Sequence, residues 1–447
     1  MFRQLVGIAL LISTCVTSFS QQSPADITGQ PEAERQRQQS LQERQRLLTS
    51  LSRDSENRFS ARGRPFVDAV MKHDAAFDLN SIPLAQWMET HDSQEIPWKT
   101  RIENSSLRMD QRLEVPYTAT VQAKDVNSLV TGDLYFIASV TDASGNSLIS
   151  PKVVHYALDG KISDDKELRF TDSVLTQPGD YVLHLVLYES RTGRHSAMKR
   201  SITVSQTTDD PLPGAGKELP QLEFLDLSDG ERGTVFQFFK GLSLPVANKR
   251  TIQLELVSLL NPPEQWSDQR QIVRTHMQCM AAALNTLSQV RLAQGLVSLT
   301  GLDAAHGSIV FQRPDFDQLN WQELSAVLNK VADDNTVSLS TMENGGGGAF
   351  LRQSLDRHLT APPDATKIIV VISGSEVFQS SGSAKSVTLK KNCDCRVYHV
   401  RFRYDIRDAY DDVEKILKPL GPKTFDITSP RDFRKAVAEI IRDLGKL

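Results

Sequence analysis

TKIIVVISGSEV, residues 366–377, holds five apolar side chains in unbroken succession, Ile368 to Ile372, and then stops at Ser373-Gly374-Ser375. An uninterrupted Ile/Val run bounded by Gly and Ser is the pattern of a strand buried on both faces, as in a parallel sheet covered by helices. The carboxyl end of such a strand is where α/β folds place ligands. Here that end offers hydroxyls, a glycine and Glu376, but no aspartate.

Outward from this strand, apolar runs alternate with helical periodicity. Ile252 to Val257 reads as a strand, Ser267 to Val290 as a helix with Ser267 at its N-cap, and Gly295 to Leu302 with Ser308 to Phe311 as paired strands. Helices are expected over Trp321 to Val331, Ala349 to Leu359 and Ala409 to Leu417, and strands over Arg396 to Phe402 and Thr424 to Ile427. Pro430 to Leu444 sets Phe433, Val437, Ile440, Ile441 and Leu444 on one stripe of a closing helix. Strands alternating with helices predict an α/β domain over 223–447, doubly wound around a mainly parallel sheet.

Upstream the period changes to two. Tyr117, Ala119, Val121 and Ala123 alternate with polar residues, as do Leu134, Phe136, Ala138 and Val140. Turns at Asp142 to Asn146, Pro178-Gly179-Asp180 and Ser190 to Gly193 separate further short strands. This spacing predicts an antiparallel β-sandwich of immunoglobulin-like type over 106–205, without the immunoglobulin Cys–Trp–Cys signature. Residues 206–222, rich in Thr, Asp, Pro and Gly, read as a linker.

The first 20 residues read as a signal peptide: Arg3, then the apolar core Leu5 to Ile12, then Ser18-Phe19-Ser20 as a small-x-small cleavage site. Residues 21–105 read as a polar stalk and transitional segment, partly disordered or helical, with a short helix near Leu84 to Thr90. The apolar core of the signal is far shorter than a bilayer span, and no later segment is apolar enough to cross. The expectation is an exported protein, periplasmic or extracellular, with no membrane span. The net charge of −4 over 447 residues gives no basic excess for nucleic acid.

Four cysteines remain to be placed. Cys15 leaves with the signal; Cys279, Cys393 and Cys395 allow one disulfide in an exporting compartment, or buried thiols. Cys393 and Cys395 are poorly spaced to bridge each other, so a bridge from Cys279 to one of them is the alternative to free thiols. No second paired motif supplies a zinc site.

Residues 223–447 resemble the von Willebrand factor type A domain, and the bacterial group described as acidobacterial VWFA-related proteins. The residues carrying the resemblance are Leu219 to Phe224, Arg250 to Val257, the hairpin exit Gly307 to Asp317 (GSIVFQRPDFD), Lys367 to Ser373 and the closing TFDITSPRDFRKAVAEI. The resemblance implies a divalent-cation site for adhesion: an Asp-x-Ser-x-Ser after the first strand, a Thr from a middle loop and an Asp after the central strand. Here the first strand runs into Ser258-Leu259-Leu260-Asn261-Pro262, and the central strand into Ser373-Gly374-Ser375. The matching positions are therefore Ser258, Thr341 and Ser373, without a carboxylate in place. Hydroxyls alone hold Mg²⁺ poorly, because the ion is reluctant to dehydrate. The expectation is a degenerate site, with no metal and no cofactor.

Other chemistry is weaker. Gly345 to Gly348 lacks the Lys-Ser/Thr of a P-loop and reads as a connector. Ile372 to Glu376 is no nucleophile elbow, and the nine histidines form no ligand pair. The expected function is protein binding without catalysis, through loops at the carboxyl ends of the strands that include Ser373, Ser375, Glu376 and Lys385. The alternatives are a structural component of the cell envelope, and an enzyme whose site carries no recognisable motif.

Overall fold

The computed structural model describes residues 70–71, 77–89, 93–126, 133–157, 164, 166–207, 209–224, 241–260, 270–314, 321–333, 346–359, 364–376, 378, 395–403 and 411–447. Residues 1–20, expected to be a signal peptide, most of 21–105, Thr341, Lys385 and Cys393 lie outside these residues. The fold is mixed α/β with several sheets, and most strand pairings are antiparallel.

The amino-terminal part comprises β1 (Val70–Met71), α1 (Leu84–Glu89), β2 (Trp98–Ile102), β3 (Ser106–Leu107), β4 (Leu113–Gln122), α2 (Ala123–Val126) and β5 (Asp133–Asp142). It continues through β6 (Lys152–Ala157), β7 (Glu167–Thr176), β8 (Gly179–Glu189), β9 (His195–Val204) and β10 (Leu222–Phe224). Two antiparallel sheets result, ordered β1-β6-β5-β8-β9 and β10-β7-β4-β2, with β3 also on β4. The period-two pattern explains their packing: Val115, Tyr117, Ala119 and Val121 of β4 share one core with Leu134, Phe136, Ala138 and Val140 of β5. The alternate face of β5 is buried too. There Leu84 and Trp87 of α1 cover Tyr135 and Ile137.

This part begins earlier and ends later than residues 106–205. Strands β1, β2 and β10 join its sheets from outside those bounds, and β10 pairs with β7. Edge strands of two to five residues are too short to carry a periodic signal. Inside the core, Lys152 Nζ of one sheet reaches Asp172 Oδ2 of the other at 2.6 Å. Burial pushes the Asp172 carboxyl up, while Lys152 pulls it down.

The carboxyl-terminal part runs β11 (Leu244–Val246), β12 (Ile252–Leu259), α3 (Arg270–Leu287), β13 (Val290–Leu292), β14 (Gly295–Asp303) and β15 (Ser308–Arg313). Then come α4 (Trp321–Asp333), α5 (Gly346–His358), β16 (Thr366–Gly374), β17 (Arg396–Phe402), α6 (Asp412–Leu417), β18 (Lys423–Ile427) and α7 (Pro430–Gly445). Six strands form one sheet, ordered β15-β14-β12-β16-β17-β18. Every neighbour is parallel except the β14–β15 hairpin. The Ile368–Ile372 run sits in the middle of this order. Ile368, Val370 and Ile372 pack in one core with Met280 and Leu284 of α3, Leu328 of α4 and Phe433 and Val437 of α7. Ile369 and Val371 pack in the other, with Leu351 and Leu355 of α5 and Ile416 of α6. A strand covered on both faces has no use for alternation, which is why it reads as continuous apolar sequence.

Residues 206–222 are not a bare tether. Leu212 and Ala215 are buried in the core beneath α7, where Met109 from the amino-terminal part joins them. Arg434 of α7 binds Asp210 through both Nε (2.5 Å) and Nη2 (2.6 Å). The Pro/Gly composition marks the turns of this segment and says nothing of the leucine and alanine it buries.

Candidate functional site

The carboxyl ends of β12, β14 and β16 form a crest. Ser258 pairs in register with Ile372 and Gly301. Since Ile372 faces the α3/α7 core, Ser373 faces the opposite side, and successive residues of a strand alternate. Ser258 and Ser373 therefore point to opposite faces of the sheet and do not converge. Ser258 is fully buried, with no hydrogen-bond partner for its Oγ among the described residues. The third matching position, Thr341, lies outside those residues.

Ser373 Oγ lies 2.9 Å from His399 Nε2 of the adjacent β17. Both side chains are 0 % exposed. Burial, reinforced by the Arg401 charge, pushes the His399 imidazole down to about 3, so it stays neutral. A serine–histidine pair closed off from water joins two strands; it presents no nucleophile to a substrate.

Carboxylates do reach the crest, contrary to the reading that left it bare of them. Glu376 is fully buried, and Asp411 arrives from the start of α6. Asp411 Oδ1 accepts from the Val413 amide at 3.0 Å and the Glu376 amide at 3.4 Å. Asp412 donates its amide to the Glu376 carbonyl at 2.8 Å, and its Oδ2 accepts from the Phe378 amide at 2.9 Å. The backbone leaving β16 is thus clamped to the first turn of α6. Arg401 lies beneath the clamp, bridging Asp411 (3.3 Å), Glu414 (2.5 Å) and Asp426 (2.6 Å). Burial pushes the Asp411 carboxyl up, against the opposing pull of Arg401.

On the β14 side, Asp303 Oδ2 meets His306 Nδ1 at 2.6 Å and Oδ1 accepts the His306 amide at 3.1 Å, closing the β14–β15 turn. The glycine run is not a connector over its described part: Gly346, Gly347 and Gly348 are the first turn of α5. A Cβ on Gly347 would lie 2.8 Å from the Phe378 ring and 2.9 Å from the Ala304 carbonyl. Glycine lets the helix approach the crest that closely.

These residues do not fit a divalent cation. The Asp411 carboxylate is taken up by amides and by Arg401, that of Asp412 by the Phe378 amide, and the two serines diverge. Among the described residues no group of three or more His, Cys, Asp or Glu is placed to hold a metal. Asp411 was out of reach of sequence reasoning, because it comes to Glu376 from 35 residues away. Ser375 and Glu376 are both buried rather than presented to solvent. Cys279 is buried and outside any disulfide, whereas Cys395 is disulfide-bonded. Cys15 and Cys393 lie outside the described residues.

No family model matches the chain, and no curated protein matches its sequence. Among solved structures, it shows a weak likeness to a von Willebrand factor type A protein from Catenulispora acidiphila, with 11% identity and a TM-score of 0.27, covering 45% of this chain and 48% of that one. This chain thus spans about half the length of that protein. A family 123 glycoside hydrolase from Clostridium perfringens aligns with 6% identity and a TM-score of 0.25, over 74% of this chain and 72% of that one. Scores this low carry no weight for function.

Proposed function

We propose that this chain is an exported, non-enzymatic protein-binding module, periplasmic or extracellular. On this reading an immunoglobulin-like sandwich precedes a doubly wound, mainly parallel α/β domain of von Willebrand type A, whose metal site is degenerate. The observation that carries it is the clamp of Glu376 and Phe378 onto Asp411 and Asp412. It fixes the bases of the two segments 379–394 and 404–410, and binding surfaces work best on rigid supports. The buried Ser373–His399 pair argues against hydrolysis at the crest.

The test is replacement of 379–386 by Gly-Ser repeats in the full chain. Capture from envelope extract, with the retained protein identified and its affinity measured in purified form, is expected to fall at least about tenfold. Unchanged affinity removes the segment from the reading. Calorimetric titration with Mg²⁺, Mn²⁺ and Ca²⁺ is expected to show no micromolar binding. Micromolar affinity lost on Thr341→Ala would restore the metal site.

A further inference from the structure

We propose a second site, on the face of the sheet that α5 covers, that binds a small organic oxyanion, carboxylate or phosphoryl, in a pocket between β15 and the last turn of α5. The pocket encloses about 330 Å³, at the small end of ligand-sized cavities. Its floor is the early half of the strands, with Gln253 and Glu255 of β12 beside Ser298 of β14 and Lys367 of β16. Its wall is the carboxyl end of α5.

The charge in this pocket is arranged for an anion. Glu255 is buried and accepts from Gln253 Nε2 (2.9 Å), His358 Nδ1 (3.0 Å) and Lys367 Nζ (3.3 Å). Burial alone would raise its carboxyl. The hydrogen bond from His358, the nearby Ser298 hydroxyl and the charges of His358 and Lys367 outweigh that and hold it at about 2. Its negative charge is thereby enclosed, and it orients Lys367 and His358. Against this one carboxylate the lining sets three permanent cations, Arg313, Arg357 and Lys367, and once Glu323 beside Arg313 is counted a formal excess of one positive charge remains. Arg313 is paired with Glu323. Arg357 is exposed, and among the described residues it forms no ion pair.

Two further observations converge on the same place. Ser354 is 2 % exposed, lines the pocket, and has no hydrogen-bond partner for its Oγ among the described residues. A buried hydroxyl left unsatisfied costs on the order of 1–3 kcal/mol, which an acceptor in the pocket would remove. Leu296 and Ile309, at 52% and 37% exposure, are the large apolar side chains left to solvent among the described residues. Ile309 lines the pocket. It offers an apolar surface to the carbon skeleton of a ligand whose oxyanion meets Arg357 and Ser354.

The experiment is isothermal titration of the full chain with succinate, with inorganic phosphate, and with neutral succinamide. Succinate or phosphate is expected to bind saturably with Kd below about 1 mM, and succinamide at least about tenfold more weakly. Tighter succinate assigns a carboxylate ligand; tighter phosphate assigns a phosphoryl ligand. Arg357→Gln and Ser354→Ala are each expected to weaken binding about tenfold with the melting temperature unchanged. The proposal fails if neither anion binds at about 10 mM, which would make the Glu255 cluster purely architectural. It also fails if succinamide binds as well as succinate, or if Arg357→Gln changes nothing. The 379–386 replacement is expected to keep anion binding, so this site and the crest stand or fall separately.

Discussion

His399 sets how acid acts on this protein. Its imidazole is neutral in the folded chain down to about pH 3, whereas the unfolded chain protonates it near pH 6.5. Between those values the unfolded state binds the extra proton, so stability falls as pH falls through the window. At pH 5 the loss is about 2 kcal/mol from this residue. His184, depressed by burial, acts with the same sign. Glu255 enters later: its stabilisation is complete above about pH 4.5 and disappears as pH drops toward 2. Urea unfolding at pH 7 and pH 5 is therefore expected to show a smaller pH-dependent loss in His399→Gln than in the native chain. Of the crest residues, Ser373 and Glu376 were legible from the sequence, because they follow the apolar run. Asp411 was not, because a tertiary contact brings it there.

Among the elements, α5 shows where local preference and packing diverge. Three glycines in a first turn oppose helix formation by roughly 1 kcal/mol each relative to alanine, so sequence periodicity starts the helix at Ala349. Packing decides otherwise, since Gly347 lies where any side chain would meet Ala304 and Phe378. Gly347→Ala, which improves helix propensity, is expected to destabilise by about 1–3 kcal/mol in chemical denaturation. A gain in stability would show that the helix can back away. The parallel strand β16 was legible because burial on both faces writes itself as consecutive apolar residues. The edge strands β1, β2 and β10 were not, since a few residues of pairing leave no pattern.

For the whole molecule, the amino-terminal sheets and the carboxyl-terminal part share structure. Met109 and Leu212 enter the core beneath α7, Gln111 Nε2 donates to the Pro430 carbonyl at 3.2 Å, and Arg434 holds Asp210. Calorimetry is expected to give one unfolding transition. Arg434→Met leaves Asp210 without its guanidinium, and breaking such a pair costs about 3 kcal/mol. The variant is expected to melt lower and to separate into two transitions; a single unshifted peak would mean that the apolar contacts suffice. Composition identified two parts and placed a tether between them, but the burial of that tether depends on partners from both sides. The strand order adds a consequence for synthesis. β12 lies between β14 and β16, and Ile252 pairs with both Gly295 and Thr366, so neither of its neighbours exists when it is first translated. The nascent chain must carry an unpaired, largely apolar ribbon until the later strands are made, which makes folding slow and gives chaperones their longest claim on this segment.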